Sequence, residues 1–328
     1  MKNTVTTIGG ATRDIMFYTD DMLLLDNKQD LLRQKLIAFE YGAKIYSKDV
    51  YFAYGGGGMN TAVNLAGLGI KTQTILSLGD DLVGVEILQH LKDRKVSTSF
   101  VQTIKNIRTG TSAIINVGKY NEHVIFAYRG ANNKIDLSPS TVKKVNTPWV
   151  YLTSLSGNFT GKLNNLFNHC TKKKIQITWN PGSNQLKLGL KKLAKYMKQT
   201  AVFGVNRDEA LELLVSLKDG KVTNNINYIL KNLHKYGQKL TVVTDGHYGA
   251  YLYDGDKVYF RAANKRTGIN TTGAGDAFGS SLVAGLIKYK WDLDKSLKLA
   301  ILNSNSVIMK IGAQEGLLTA KDLKKYKL

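Results

Sequence analysis

Asn270-Thr271-Thr272-Gly273-Ala274-Gly275-Asp276-Ala277-Phe278-Gly279 is the stretch on which the reading of this 328-residue chain turns. Small residues and glycines lead into one carboxylate, and an amphipathic helical pattern starts at once with Phe278, Leu282, Val283, Leu286 and Ile287. The first turn of a helix carries free N–H groups and the positive end of the helix dipole. Glycines there let a bulky anion approach the backbone. The stretch therefore predicts an anion cradle built from Gly273, Ala274 and Gly275, with Asp276 beside it. A carboxylate next to a phosphate is electrostatically unfavourable unless it has a task. The task that fits is taking a proton from a hydroxyl that attacks the phosphoryl group. Taken alone, the same residues also describe a glycine-rich turn with Asp276 as a helix N-cap.

The segment has company. Gly55-Gly56-Gly57-Gly58-Met59-Asn60-Thr61-Ala62-Val63-Asn64-Leu65-Ala66-Gly67-Leu68-Gly69 is a second glycine-rich run opening a helical pattern. The two stretches, in this order and at this separation, resemble the signatures of the ribokinase-like (PfkB) carbohydrate kinases. The later one is close to that family's usual DTTGAGDAF. The likeness extends over nearly the whole chain, from the first strand to Gly312-Ala313.

The resemblance implies an α/β fold, a three-layer α/β/α sandwich with a mostly parallel central sheet and a small β-strand lid over the sugar site. It implies a kinase domain covering 1–328, with ATP and Mg²⁺ as cofactors and a sugar hydroxyl as acceptor. A nucleoside is the runner-up acceptor and a phosphorylated sugar the third. A non-catalytic sugar or nucleotide sensor on the same fold is the reading from another class. The family often dimerises through the lid, so a homodimer is an expected partner arrangement.

Composition agrees with a globular enzyme. Apolar residues make up 43% of the chain, ample for a core, and the single cysteine, Cys170, allows no intrachain disulfide, which suits a reducing cytosol. No apolar run is long enough to span a bilayer. The start of the chain runs straight into a strand pattern with no secretory signal, making the cytoplasm the expected compartment. The formal net charge of +21 raises nucleic-acid binding as a reading. The lysine clusters are short, and no basic block is interleaved with aromatics, so cations spread over solvated faces are favoured.

Strand patterns over 5–9, 50–53, 72–77, 150–153, 175–179, 201–205 and 240–244 alternate with helical patterns over 61–68, 82–91, 162–169, 185–197, 208–217 and 226–236. Two more helices are expected near 277–287 and 293–310. This rhythm predicts a mostly parallel sheet with helices on both faces. A helix-like pattern over 30–39 and strand patterns over 99–102, 111–117 and 123–128 do not fit it. The segments at about 12–54 and 99–130 are therefore expected to supply the lid strands.

Asp14 follows the first strand in Gly9-Gly10-Ala11-Thr12-Arg13-Asp14. Ligand sites in open α/β sheets lie beyond the carboxyl ends of strands, and a carboxylate accepts hydroxyl hydrogen bonds. In the family the matching Asp binds sugar hydroxyls; a turn Asp capping backbone N–H groups is the plainer alternative. By resemblance, Gly55, Gly56 and Asn60 touch the acceptor, with Asn60 also readable as a helix N-cap. Ribokinases usually have Lys where Gly57 stands. Arg129 is placed to contact the substrate from a lid edge, and is equally an ordinary surface residue.

Asn206 and Glu209 match the family's N-x-x-E element and would order waters around Mg²⁺, or form a capping box. Thr244, Gly246 and Gly249 match its T-x-G-x-x-G turn for ATP, while Asn303 and the turn at Gly312 match its adenine region. Asn270 stands where most relatives have Asp. That position and Thr272 help bind a monovalent cation in the family, so a K⁺ site is expected to be weak here. The chain lacks a P-loop, a nucleophile elbow and zinc-type His or Cys spacing.

Overall fold

The computed structural model describes residues 3–27, 35–117, 122–218, 221–264 and 268–326. In chain order the strands are β1 (Thr4–Ile8), β2 (Thr12–Thr19), β3 (Leu23–Asp26), β4 (Lys35–Ala38), β5 (Asp49–Gly55), β6 (Lys71–Ile75), β7 (Ser77–Gly79) and β8 (Gln102–Ile104). They continue as β9 (Gly110–Val117), β10 (Glu122–Tyr128), β11 (Trp149–Leu152), β12 (Gln176–Trp179), β13 (Val202–Asn206), β14 (Leu240–Thr244), β15 (Ala250–Tyr253) and β16 (Val258–Arg261). The helices are α1 (Gly57–Gly67), α2 (Leu82–Asp93), α3 (Pro139–Val142), α4 (Thr160–Lys173) and α5 (Ser183–Leu186). After them come α6 (Leu190–Met197), α7 (Arg207–Val215), α8 (Ile226–His234), α9 (Ala274–Lys288) and α10 (Leu293–Val307).

The large sheet has the order β16-β15-β14-β13-β12-β11-β1-β6. Pairs from β6 to β14 are parallel, and β15 and β16 close one edge as antiparallel strands. Side chains alternate between the two faces of a strand. On β11, Val150 and Leu152 pack with Leu163, Phe167, Leu193, Leu213 and Leu230 of α4, α6, α7 and α8. Trp149 and Tyr151 face the other way, toward Leu65, Phe278, Leu282, Leu297 and Ala300 of α1, α9 and α10. Both faces are thus covered by helices, giving three layers. Among the described residues no helix is long and apolar enough to cross a membrane.

A second sheet, ordered β10-β9-β2-β5, stands beyond the carboxyl end of β1. The chain leaves β1, turns through Gly9-Gly10-Ala11 and enters β2; β5 delivers it into α1. Asn132 fastens this turn, accepting from the Ala11 N–H at 3.0 Å and donating to its carbonyl at 2.8 Å. Tyr51, Phe52, Ile125 and Phe126 on its outer strands are exposed, while Met16 and Ile114 on its central strands are buried.

Two helices differ from the sequence expectation. The pattern over 185–197 is divided into α5 and α6 by Gly189, whose φ of +77° breaks the helix. The helix expected over 61–68 starts four residues earlier, at Gly57. Gly56 turns the chain with a φ of +91°, and Gly58 lets α1 rest against β1: a Cβ there would lie 2.6 Å from the Gly9 carbonyl carbon. Asn60 therefore sits inside α1 and is not its N-cap. Of the helix-like segment 30–39, residues 30–34 lie outside the described residues, and β4 covers 35–38.

Candidate active site

Helix α9 begins at Ala274 with Gly273 as its N-cap in the left-handed region. A Cβ at Gly273 would fall 2.5 Å from the Ala313 Cβ, whereas one at Gly275 meets nothing within 4 Å. Gly275 thus presents bare backbone to open space. The Ala274 N–H, expected in the cradle, donates to the Thr271 carbonyl at 3.2 Å. Those of Gly275 and Asp276 make no hydrogen bond to the described residues.

Asp276 stands in this first turn. Its Oδ2 accepts from Asn60 Nδ2 at 2.9 Å, tying the amino end of α9 to α1. Burial pushes the Asp276 carboxyl above the usual carboxylate range; the Asn60 donor pulls it down and the charge of Asp14 pushes it up. Asp14, on β2, is 5% exposed and is also raised by burial, against the hydrogen bonds of Thr12 and Ser112. Thr12 Oγ1 donates to it at 2.9 Å. Gly55 and Gly56 form the floor: their added Cβ atoms would lie 2.0 Å from Asp14 Oδ2 and 2.5 Å from the Gly10 carbonyl. The structure thus brings Asp14, Gly55, Gly56, Asn60 and Asp276 together from four elements.

On the other side of α9, a cleft of about 380 Å³ runs between the β14–β15 hairpin and α10. Thr244, Gly246, His247 and Gly249 line one wall, and Phe278, Ile301 and Ile308 the other. Gly246 has open space around it, but Gly249 is required by the hairpin itself, since a Cβ would fall 2.1 Å from the Arg261 carbonyl. Thr244 and Gly275 also line a second cavity together with Asn206 and Glu209. Asn206 and Glu209 form a reciprocal capping box on α7, with distances of 2.8 and 2.9 Å. Burial raises the Glu209 carboxyl.

Three predicted residues are placed apart from this constellation. Asn303 does not line the cleft. It is fully buried on the opposite face of α10, donating to Asn64 Oδ1 and Ser281 Oγ and accepting from the Leu318 N–H. Arg129 is exposed and its side chain makes no hydrogen bond or ion pair to the described residues. Asn270 is buried, with Oδ1 accepting the Thr272 N–H at 2.9 Å. Sequence reasoning missed Ile301 and Ile308, whose seven-residue spacing on one helix was the available signal. It also missed Gln314 and His90, which join Asn60 across the fold and leave no local signal.

The family profile described as pfkB family carbohydrate kinase matches residues 26–320. A 6-phosphofructokinase of Thermoanaerobacterium thermosaccharolyticum is 26% identical over 314 residues, covering 91% of this chain and 94% of that protein. A ribokinase of Lactococcus lactis is 27% identical over 287 residues, covering 86% and 88%. In structure, the chain is similar to a Cryptococcus neoformans ribokinase in complex with ADP, at TM-score 0.79 and 21% identity over 98% of this chain and 99% of that one. An Arabidopsis thaliana ribokinase complexed with ribose and ATP gives 0.78 and 21%, over 99% and 98%. The fold and site define a phosphotransferase of the sugar and nucleoside kinase class. The chain belongs to the pfkB family of carbohydrate kinases.

Proposed function

We propose that this protein transfers the γ-phosphoryl group of ATP to a hydroxyl of a sugar, with Asp276 as the general base. The observation that carries the reading is the Asn60–Asp276 hydrogen bond beside Asp14 and the open Gly275 backbone. Asp14 accepts from acceptor hydroxyls, the Gly55–Gly56 backbone lies under the ring, and Asn60 offers its second amide hydrogen. The acceptor hydroxyl gives its proton to Asp276 as its oxygen bonds to phosphorus and the bond to ADP breaks. The free N–H groups of the first turn of α9, with Gly273 shaping the turn, meet the charge on the phosphoryl oxygens.

The apolar wall of Phe278, Ile301 and Ile308 suits a purine base, and Gly246 leaves room beside it. Glu209 keeps one oxygen outside its capping box and lines the cavity with Asn206 and Gly275. That fits Mg²⁺ held on nucleotide phosphates through waters ordered by Asn206 and Glu209, where it neutralises phosphate charge. A K⁺ site here is weak: Asn270 is neutral, and its oxygen already accepts one hydrogen bond from the Thr272 N–H.

The small sheet acts as a lid that excludes water when it closes. Its outer face, where Phe52 and Phe126 are exposed in register with Ile15 and Ala113, is the surface through which two copies pair. Sedimentation that finds only monomer at every concentration would remove that pairing.

The test is ATP turnover by the purified protein with Mg²⁺ against pentoses, hexoses, sugar phosphates and nucleosides, in K⁺ and in K⁺-free buffer. We expect one sugar to be required, K⁺ to change little, and Asp276→Asn to lose ~10²–10⁴-fold in kcat. Full activity in folded Asp276→Asn refutes the base. Turnover with a nucleoside alone moves the acceptor class, and ATP binding without any turnover supports a sensor.

A further inference from the structure

His90, Gln314 and Asn60 form one hydrogen-bonded line that ends on Asp276. His90 Nε2 meets Gln314 Oε1 at 2.8 Å, Gln314 Nε2 donates to Asn60 Oδ1 at 2.9 Å, and Asn60 Nδ2 donates to Asp276 Oδ2 at 2.9 Å. The four groups come from α2, the loop after α10, α1 and α9. Gln314 and Asn60 are each 4% exposed, so neither amide can turn toward water instead.

The polarity of this line follows from its ends. An ionised carboxylate only accepts, so Asn60 must present its NH₂ to Asp276 and its carbonyl to Gln314. Gln314 must then present its NH₂ to Asn60 and its own carbonyl to His90, which has to carry a hydrogen on Nε2. Reversing the Asn60 amide would set a carbonyl oxygen against the carboxylate, tolerable only if Asp276 held a proton and was useless as a base.

The anchor of the line is built in. The His90 ring packs at 4.5 Å on Tyr54, the residue before the glycine floor, and the Arg13 guanidinium, paired with Glu86, lies over the Tyr54 ring at 5.4 Å. Burial holds His90 below the ordinary histidine range; the Gln314 hydrogen bond, Glu315 and Asp93 oppose this, while Arg94 adds to it. Asp276 itself faces Asp14 on β2 and Tyr151 on β11.

We propose that Gln314 and His90 are positioning residues that lock the Asn60 amide with its NH₂ toward Asp276 Oδ2, leaving the other carboxylate oxygen free for the acceptor hydroxyl. The proposal rests on Asp276 being the base.

The variants are Gln314→Glu, His90→Phe and His90→Gln, with Asp276→Asn alongside. A carboxylate at position 314 has no hydrogen for Asn60, so the Asn60 amide turns over. We expect Gln314→Glu to lower kcat about 10- to 100-fold at neutral pH, the scale of one hydrogen bond to a charged group. Its KM for ATP should stay unchanged and the acidic limb of its kcat profile should move to higher pH. His90→Phe keeps a ring against Tyr54 but no donor, and should lower kcat in the same direction with the same pH shift. His90→Gln restores a donor and should recover most of the activity. If Gln314→Glu does not fold, the two His90 variants carry the test. Folded variants with unchanged kcat and unchanged pH limb, beside an inactive Asp276→Asn, overturn the positioning role alone. An active Asp276→Asn overturns the base and this role together.

Discussion

The Asp14 carboxylate fills the space that a side chain at Gly55 would need: a Cβ built on Gly55 lies 2.0 Å from Asp14 Oδ2. The two residues sit on paired strands, with Thr12 opposite Gly55 in the β2–β5 register. Asp14 owes its position to the absence of a side chain across from it.

Gly55→Ala should therefore act on the acceptor and spare the nucleotide. The methyl group must push Asp14 away, an overpacking strain that corresponds to a fall of about 10- to 100-fold in kcat/KM for the acceptor. The KM for ATP should not change. Steady-state kinetics with each substrate varied in turn reads both, and an unchanged acceptor kcat/KM would show that Asp14 does not grip the acceptor.

The raised Asp14 carboxyl has a signed consequence for stability. Its affinity for a proton is higher folded than unfolded, so the folded state binds more protons above the ordinary value of 3.8. Stability from this group is then lost as pH rises from 3.8 through the raised value, and the ionised form burdens the fold at neutral pH. Asp14→Asn should be more resistant to urea than the parent at pH 7, with the gain vanishing in acid, and should bind acceptor poorly. Equal urea midpoints at pH 7 would contradict this.

Asn303→Ala should behave as a core substitution. It orphans the buried Asn64 carbonyl, costing about 1–3 kcal/mol, and frees the part-buried Leu318 N–H. Thermal unfolding should shift down by about 5 °C or more, while ATP KM in the folded protein stays at the parent value. A raised ATP KM at unchanged Tm would return Asn303 to the nucleotide site.

Much of the fold was legible because the parallel strands are short apolar runs between helices of regular spacing. Strand 240–244 and helix 82–91 emerged nearly as expected. What sequence could not supply was the partner of a polar side chain. Asn303 read as a nucleotide contact because its neighbourhood matched a family region, yet the helical phase turns it inward while Ser304 and Asn305 face the cleft. Asn206 and Glu209 satisfy a local capping rule and line the cavity as well, so spacing alone does not separate the two roles. The glycines at the start of α1 argued against helix by propensity. They are helical because only a bare backbone lets α1 rest against β1.

That close seating has a consequence for anyone wishing to redesign the protein. A Cβ added at Gly56 or Gly58 meets backbone atoms of Gly10 and Gly9 at 2.5 and 2.6 Å, and one at Gly9 meets the Gly58 backbone nitrogen at 2.9 Å. The base of the acceptor pocket is thus a seam of backbone against backbone, closed to engineering by substitution. A different appetite for substrates has to be written into the strands above it.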